Sequence, residues 1–441
     1  MRVFLGQRVT VVGLGLHGGG LGVVRFLMRE GARQIIVTDL RTKKILQPTI
    51  NQIPKSRKIR YVLGAHHLDD FRHTDAIIKN PGVPLSSPYL EEARRQGVPI
   101  LSDMGIFFER VRSPIIGVTG TKGKSTTATL IALLLRTRFR RILLAGNIRK
   151  SVLDIMEDAN RSDAVVLELS SFQLEDLALV KRSPNIAVIT NIFPDHLNRH
   201  RTMREYRRVK SLIGAFQNEK DTIIVPKGVG IVKLLKKGRA KLISVAIAKT
   251  FRARVARINP ALQGHMADAT ALAITAAQSM GIPEKDCLKQ LAAFKPLEGR
   301  MEPVRVLRGV SFINDTTATT PMASAKGLAL IRRRHRGVIL IAGGSDKNLP
   351  YAEFGAAIKK SARFIFLLPG SATEKIIRTL GKWAENKSSR AASMEEAVRR
   401  ASDMAERGET VLLSPGAASF GLFNHEFHRG SAFVSAVKKL A

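Results

Sequence analysis

Acidic residues are scarce in this chain. Against 72 Lys and Arg it sets only 36 Asp and Glu, which leaves a formal net charge of +36 over 441 residues. That excess predicts attraction to polyanions and incidental, salt-sensitive contact with nucleic acid. Aromatic residues are also few, at 5%, and the basic ones are scattered, with short runs such as RRRHR at 332–336. Without a helix-turn-helix, a zinc finger or an aromatic RNA platform, no specific nucleic-acid recognition is expected. A single cysteine, Cys287, excludes an internal disulfide and a thiolate zinc site, and it fits a reducing cytoplasm. Long apolar runs are missing too. No stretch of 18 apolar residues occurs, and the opening MRVFLGQRVTVVGLG lacks an apolar segment ending in a small-residue cleavage site. The expectation is a cytoplasmic protein with no membrane association.

What is present is a globular composition, 44% hydrophobic and 24% charged, in a chain long enough for two to four domains. The first segment, RVTVVGLGLHGGGLGVVRFLMREGARQIIVTD, reads as strand, glycine turn, helix and strand. Gly13, Gly15 and Gly18 fit GxGxxG, and Asp39 closes the second strand. Taken alone this is a dinucleotide fingerprint, but the same crevice suits any ligand with a diphosphate or a ribose. DAIIKNPGVP at 75–84 adds a strand that ends in a Pro-Gly turn.

The second segment holds GVTGTKGKSTTATL at 117–130, between the apolar strand PIIGV and an apolar helix. A glycine turn that ends in Lys124-Ser125 aims backbone N–H groups, an ammonium and a helix N-terminus at a phosphate. It departs from the strict GxxxxGK[ST] pattern, since Val118 stands where the first glycine belongs. RILLAGN, AVVLELSSFQLE and IAVITNIFPDHL follow as strands whose ends offer Glu168, Ser170, Ser171, Gln173, Asn191, Asp195 and His196. From about 300 the same grammar returns in GVILIAGGSDK, FIFLLPG and TVLLSPGAAS. The expected fold is α/β in three domains. These are a Rossmann-like N-terminal domain over 1–110, a central P-loop-type ATPase domain with a mostly parallel sheet over 111–299, and a Rossmann-like C-terminal domain over 300–441.

A carboxylate beside a nucleoside triphosphate most simply holds Mg²⁺ together with the loop hydroxyl, here Glu168 with Ser125. Alone, Glu168 could equally be a capping or ion-paired residue, and His196 a structural histidine. Val209, Leu212, Ile213 and Phe216 mark one helical face, and Lys210 at its edge reads as an ordinary surface lysine.

Taken in order, these stretches resemble the Mur ligase family, in particular its D-glutamate-adding branch. The motifs are GVTGTKGKST, GNI at 146–148, LELSSFQLE at 167–175, TNIFPDHLNRH at 190–200, LEGRMEPV at 297–304, NDTTATTP at 314–321, GGSDK at 343–347 and LLSPGAASFGLF at 412–423. The phosphate loop is common to all Mur ligases and to folylpolyglutamate synthases, whereas ELSSFQLE and LLSPGAAS are particular to that branch. The resemblance implies ATP-dependent addition of D-glutamate to UDP-N-acetylmuramoyl-L-alanine through an acyl phosphate, by a monomer active in peptidoglycan precursor synthesis.

Residue by residue, it implies that Gly120, Thr121, Lys122, Gly123, Lys124, Ser125 and Thr126 bind ATP, with Arg300 and Asp315. Ser125 and Glu168 would hold one Mg²⁺. His196 and a carbamylated Lys210 would help hold a second, which reverses the surface reading of that lysine. Gly13, Leu14, Gly15, Leu16, His17, Gly18, Asp39 and Arg41 would line the UDP pocket. Asn147, Ser170 and Gln173 would position the muramoyl-alanine part, and Thr319, Lys347, Ser419 and Phe420 would take D-glutamate. The catalytic set is then Lys124, Glu168, His196 and Lys210.

The chain departs from the family pattern at several places. Lys122 replaces an asparagine of the phosphate loop, and Thr317 a common lysine. Met266 replaces an asparagine of the adenine-holding stretch, and His17 a small hydroxyl residue. Phe427 is shifted relative to the usual aromatic. None of these removes a phosphate, metal or acyl-transfer group. Two alternatives remain at this stage: a ligase of the same superfamily with another amino acid or a folate, and a nicotinamide-dependent oxidoreductase or a non-catalytic nucleotide-binding protein. The second leaves the phosphate loop, Glu168, His196 and Arg300 without a task.

Overall fold

The computed structural model describes residues 3–16, 18–146, 151–195, 197–235, 238–332 and 336–441, apart from the side chains of 197 and 198. Of the residues singled out above, His17, Asn147 and His196 lie outside the described residues. The chain forms two compact units, Met1–Phe294 and Lys295–Ala441. Among the described residues no helix is long and apolar enough to cross a membrane.

The first unit carries two parallel sheets. One has five strands, β1 (Arg8–Val12), β2 (Gln34–Asp39), β3 (Ile59–Leu63), β4 (Ala76–Lys79) and β5 (Ile100–Ser102), in the order β3-β2-β1-β4-β5. Its central strands are almost continuously β-branched because helices cover both faces. The chain moves outward from β1 through β2 to β3, then returns to place β4 on the other side of β1. The order therefore reverses between β1 and β4, and a crevice opens beyond their carboxyl ends. The glycine loop after β1 and the Asn80-Pro81-Gly82 turn after β4 face each other there. Gly13, Gly15 and Gly18 all have positive φ, at 89°, 64° and 86°.

The second sheet contains β6 (Ile115–Thr119), β7 (Ile142–Gly146), β8 (Ala164–Glu168), β9 (Ile186–Ile189), β10 (Thr222–Pro226) and β11 (Lys241–Val245), in the order β11-β10-β9-β6-β8-β7. Here the order reverses between β6 and β9. The phosphate loop follows β6, so it lies beside the polar residues that follow β9. Helix Lys124–Leu135 is buried along most of its length and packs against helix His265–Ser279.

One hydrophobic core serves both sheets, running from Val11, Phe26 and Met104 to Val165, Leu167 and Leu174. The approach is close where a Cβ on Gly22 would come within 2.1 Å of the Ser151 side chain. One charged contact lies inside this junction. Lys79 closes β4 and sets its ammonium 2.6 Å from Asp176 of helix Ser171–Leu179, both side chains almost fully excluded from solvent. Removing one partner of such a pair costs about 3–5 kcal/mol, whereas an apolar replacement of both is often neutral.

The helical face expected to run through Phe216 is shorter than the sequence suggests. The helix Met203–Ser211 ends in a 3₁₀ turn, Leu212–Gly214, so Val209 and Ile213 are buried while Phe216 is 38% exposed. Lys210 is not at a surface edge at all. It is 2% exposed, a correction taken up below.

The second unit has one sheet of β12 (Glu302–Leu307), β13 (Val310–Asn314), β14 (Val338–Gly343), β15 (Phe364–Leu368), β16 (Ser388–Arg390) and β17 (Thr410–Leu413), in the order β12-β13-β17-β14-β15-β16. Only β12 runs antiparallel, against β13. Because β17 inserts between β13 and β14, the loops that leave these three strands are neighbours at one sheet edge.

Gly13 gives a test of the crevice. Its backbone is left-handed, and a Cβ there would come within 2.9 Å of the Asn80 Cβ. Gly13→Ala should destabilise the chain by about 1–3 kcal/mol, read as an earlier urea midpoint by far-UV circular dichroism. An unchanged midpoint would mean that the loop is free to relax.

Candidate active site

The phosphate loop is held open by the residues that follow β9. Lys122 donates its N–H to Asn191 Oδ1 at 2.9 Å, and its carbonyl accepts from Asn191 Nδ2 at 2.8 Å and from Thr190 Oγ1 at 2.6 Å. The Thr121 N–H reaches the Asn191 carbonyl at 2.9 Å. A Cβ on Gly120 would lie 2.0 Å from Thr190 Oγ1, so only glycine fits that approach. Gly123, at φ 82°, caps helix Lys124–Leu135, whose N-terminal end carries the positive end of the helix dipole toward the loop. The Lys124 ammonium donates to the Thr121 carbonyl at 3.1 Å, and Thr126 is buried in the first helical turn. Lys122, the extra cation of the loop, sits 3.4 Å from Asp195 Oδ2, which offsets its charge.

Ser125 Oγ lies 2.5 Å from Glu168 Oε2, and both are buried. This puts a hydroxyl and a carboxylate together at the start of the helix, a hard-oxygen donor set that suits Mg²⁺ when phosphate oxygens complete the shell. Among the described residues no group of three or more His, Cys, Asp and Glu gathers to hold a metal ion.

Lys210 donates to Thr119 Oγ1 at 3.1 Å, and the Thr119 hydroxyl donates in turn to the Leu169 carbonyl at 2.7 Å. Burial, reinforced by the charge of Lys124, pushes the Lys210 amine well below its ordinary value; Asp195 and Glu168 oppose that shift. A surface lysine would stay protonated at neutral pH, whereas this environment favours a neutral, nucleophilic amine. Tyr206 lies beneath the ammonium, its ring centre 5.4 Å away, and its hydroxyl pairs with Thr121 Oγ1 at 3.1 Å. His200 Nε2 meets Ser171 Oγ at 3.0 Å while its ring stacks on Phe172.

Ser170 and Gln173 form a reciprocal capping box. Ser170 Oγ accepts the Gln173 N–H at 3.2 Å, and Gln173 Oε1 accepts the Ser170 N–H at 2.9 Å. Both therefore fix the N-terminus of helix Ser171–Leu179. In the crevice of the first sheet, Asp39 supports the glycine loop. Its Oδ2 accepts the Gly15 N–H at 3.0 Å and its Oδ1 the Arg41 N–H at 2.9 Å. Leu14 is buried beneath the loop and Leu16 packs against the core.

In the second unit, the loops after β13, β14 and β17 are tied to one another, and two of the four expected amino-acid residues touch. Lys347 Nζ donates to Thr319 Oγ1 at 3.1 Å. Ser345 bridges to Ala418, and its hydroxyl donates to the Phe420 carbonyl, which ties the GGSDK turn to the loop that holds Ser419. Ser419 is buried, while Phe420 is 62% exposed.

Arg429 is buried between two of these loops. It donates to the Thr316 carbonyl at 2.9 Å, to Thr316 Oγ1 at 3.1 Å and to the Ala417 carbonyl at 3.1 Å. Thr317, which stands where the family has lysine, binds the Gly299 carbonyl through both its N–H and its hydroxyl. It thereby pins the turn that carries Arg300. Asp315 accepts the Met301 N–H at 3.3 Å and the Ser414 hydroxyl at 2.9 Å. Burial raises its carboxyl to about 7, against the smaller pull of these hydrogen bonds and Arg300.

Sequence reasoning missed Thr119, Thr190, Tyr206, His200 and Arg429. Tyr206 and Lys210 are four apart on one helix, a spacing that could have flagged the pair. Thr190 and His200 lay within the quoted motif but carried no role.

A loop that grips phosphate, joined to an oxygen donor pair and a buried amine, defines a nucleoside-triphosphate-dependent enzyme of α/β architecture. Family models match over residues 7–102 (Mur ligase MurD-like, N-terminal domain), 118–282 (Mur ligase middle domain) and 299–416 (Mur ligase, glutamate ligase domain). The UDP-N-acetylmuramoylalanine–D-glutamate ligase of Roseiflexus sp. is 38% identical, covering 98% of each chain. The enzyme of that name from Symbiobacterium thermophilum is 34% identical, over 100% of this chain and 99% of the other. Among solved structures, UDP-N-acetylmuramate–alanine ligase of Thermotoga maritima superposes with a TM-score of 0.61 at 17% identity, over 98% and 99% of the two chains. This chain belongs to the Mur ligase family, whose members are ATP-dependent ligases that form amide bonds.

Asp315 carries a pH signature. Its folded value, about 7, exceeds the usual 3.8, so folding takes up a proton. Its contribution to stability is complete below about pH 4 and is lost as pH rises through 7, by at most about 4 kcal/mol. Hydrogen exchange in peptides covering 310–320, corrected for intrinsic rates, should quicken from pH 5 to pH 8. Asp315→Asn should flatten that rise; an identical slope in the variant would assign it elsewhere.

Proposed function

We propose that this chain joins D-glutamate to UDP-N-acetylmuramoyl-L-alanine at the expense of ATP. The observation that carries the reading is full-length similarity to relatives of that name, combined with a second-unit cluster suited to an acidic amino acid. A dicarboxylic ligand needs a cation and hydroxyl donors, and Lys347, Thr319 and Ser419 supply them.

The chemistry follows from the acceptor. A carboxylate is a poor electrophile because oxide is a poor leaving group. Attack of the alanyl carboxylate on the γ-phosphorus breaks the bond to the β-phosphate oxygen, releases ADP and forms an acyl phosphate. The neutral amine of D-glutamate then attacks the acyl carbon, and the tetrahedral intermediate expels inorganic phosphate and loses a proton from nitrogen. The chain's part is to neutralise crowded phosphates and to hold the reactants in line. Gly120–Thr126 and Lys124 grip the triphosphate, while Arg300 and Asp315 contact the nucleotide. Gly13–Gly18, Asp39 and Arg41 hold the uridine diphosphate, and Asn147, Ser170 and Gln173 orient the muramoyl-alanine part. Mg²⁺, held by Ser125, Glu168, His196 and a carbamylated Lys210 in two sites, would neutralise charge on the phosphates.

The state of Lys210 supports the carbamate. The neutral amine that burial favours adds CO₂ and loses a proton, which turns a cation into an anionic oxygen ligand.

Two experiments test the reading. ADP release should require UDP-N-acetylmuramoyl-L-alanine and D-glutamate together; equal release with L-glutamate, L-lysine or glycine would overturn the specificity. Lys210→Ala should lower turnover by roughly 100-fold or more with ATP affinity little changed, and short carboxylates such as formate should restore part of it. Full turnover in that variant would dismiss the carbamate.

A further inference from the structure

The buried pair Lys79–Asp176 is used by none of the chemistry above, and its surroundings make it an expensive choice. Two other carboxyl groups face it: Asp103, buried at the start of helix Asp103–Arg110, and Glu175, the neighbour of Asp176. Burial, together with these two groups, lifts the Asp176 carboxyl to about 6 despite the ammonium at 2.6 Å. Apart from the Lys79 ammonium, neither Asp176 oxygen has a hydrogen-bond partner among the described residues. A pair this poorly solvated is a weak stabiliser compared with apolar side chains of similar volume. Its location suggests another use.

Lys79 is followed directly by Asn80, whose side chain fills the crook of the glycine loop. Its Cβ would be 2.9 Å from a Cβ on Gly13, and its Nδ2 3.5 Å from one on Gly19. Asn80 is tied to β1 as well, its N–H donating to the Val12 carbonyl at 2.8 Å. At the other end, Asp176 lies on the short helix whose capped N-terminus carries Ser170 and Gln173. One ion pair thus joins the loop assigned to the uridine diphosphate to the helix assigned to the muramoyl-alanine part.

We propose that Lys79 and Asp176 are positioning residues that set the distance between the two halves of the cradle for a single long substrate, UDP-N-acetylmuramoyl-L-alanine. The inference rests on the substrate reading given above. It assigns the pair to this substrate alone, because ATP is gripped by the separate loop after β6.

The decisive variant is Lys79→Met with Asp176→Leu, which removes both charges and leaves no buried ion unpaired. It should fold, with a melting temperature no lower than wild type. Its KM for UDP-N-acetylmuramoyl-L-alanine should rise about tenfold or more, with kcat and the KM for ATP and for D-glutamate changed by less than about threefold. Lys79→Arg, which keeps a cation, should hold the nucleotide KM within about threefold of wild type. A folded double variant with wild-type nucleotide KM overturns the proposal. So does a parallel rise in all three KM values, and so does a double variant that fails to fold, since each assigns the pair to stability alone. Wild-type enzyme assayed alongside separates the two levels: if it neither binds the muramoyl nucleotide by calorimetry nor turns over, the substrate reading fails and not the positioning role.

Discussion

A loop that will receive a triphosphate has to be held in shape before the anion arrives, and much of the second sheet of this chain serves that need. Left to itself, a glycine-rich segment collapses onto its own backbone donors. Here the Lys122 carbonyl is taken by Thr190 and Asn191, and the Thr121 N–H and hydroxyl are taken by Asn191 and Tyr206. Those partners sit where they do because β9 pairs directly with β6. Strand order therefore fixes which polar residues brace the loop.

The same bracing explains the buried lysine. Thr119 ends β6, and its hydroxyl links Lys210 to the Leu169 carbonyl next to Glu168. A lysine held there faces another cation, Lys124, with little water to screen the two charges. In water such repulsion would be worth little at this range, but at low dielectric it adds to the desolvation that already disfavours the charged form. Burial and charge act together to favour the neutral amine, and that is the form from which a carbamate can be made.

Much of this was legible in the sequence, and the parts that were not share a cause. The central strands of all three sheets could be read because parallel strands covered on both faces are continuous apolar runs, as in VILIAG and VTVV. Local turns were legible for the same reason, since Gly13, Gly18, Gly120 and Gly123 sit where the backbone must be left-handed. Family resemblance then supplied the roles that composition could not. What stayed hidden depends on which strand lies beside which. Thr190 and Tyr206 brace a loop about 70 and 85 residues earlier in the chain, and no local pattern marks such a contact. Periodicity alone puts Lys210 at a surface edge, because it counts apolar positions and a buried lysine breaks that count; only the family resemblance reverses that reading. Ser170 and Gln173 show the converse. Their spacing is a capping box, and the structure gives them that local task whatever else they touch.

The glycine fingerprint of the first sheet shows why a motif limits a ligand without naming it. Asp39 stands where a ribose-binding carboxylate belongs, yet its two oxygens accept N–H groups from Gly15 and Arg41. The carboxylate is thereby a part of the loop's own scaffolding, and its remaining lone pairs face the crevice only as far as the loop allows. What the fingerprint leaves open depends on its surroundings: the turn after β4, whose Asn80 lies against Gly13, and the helix Ser171–Leu179, which Asp176 ties to Lys79. In a two-sheet unit with one shared core, those elements cannot shift independently of β1, because Asn80 fills the loop from below and Lys79 is held by Asp176. The way the sheets are joined thus fixes the surroundings of the glycine loop, while the fingerprint alone accounts only for a diphosphate or a ribose.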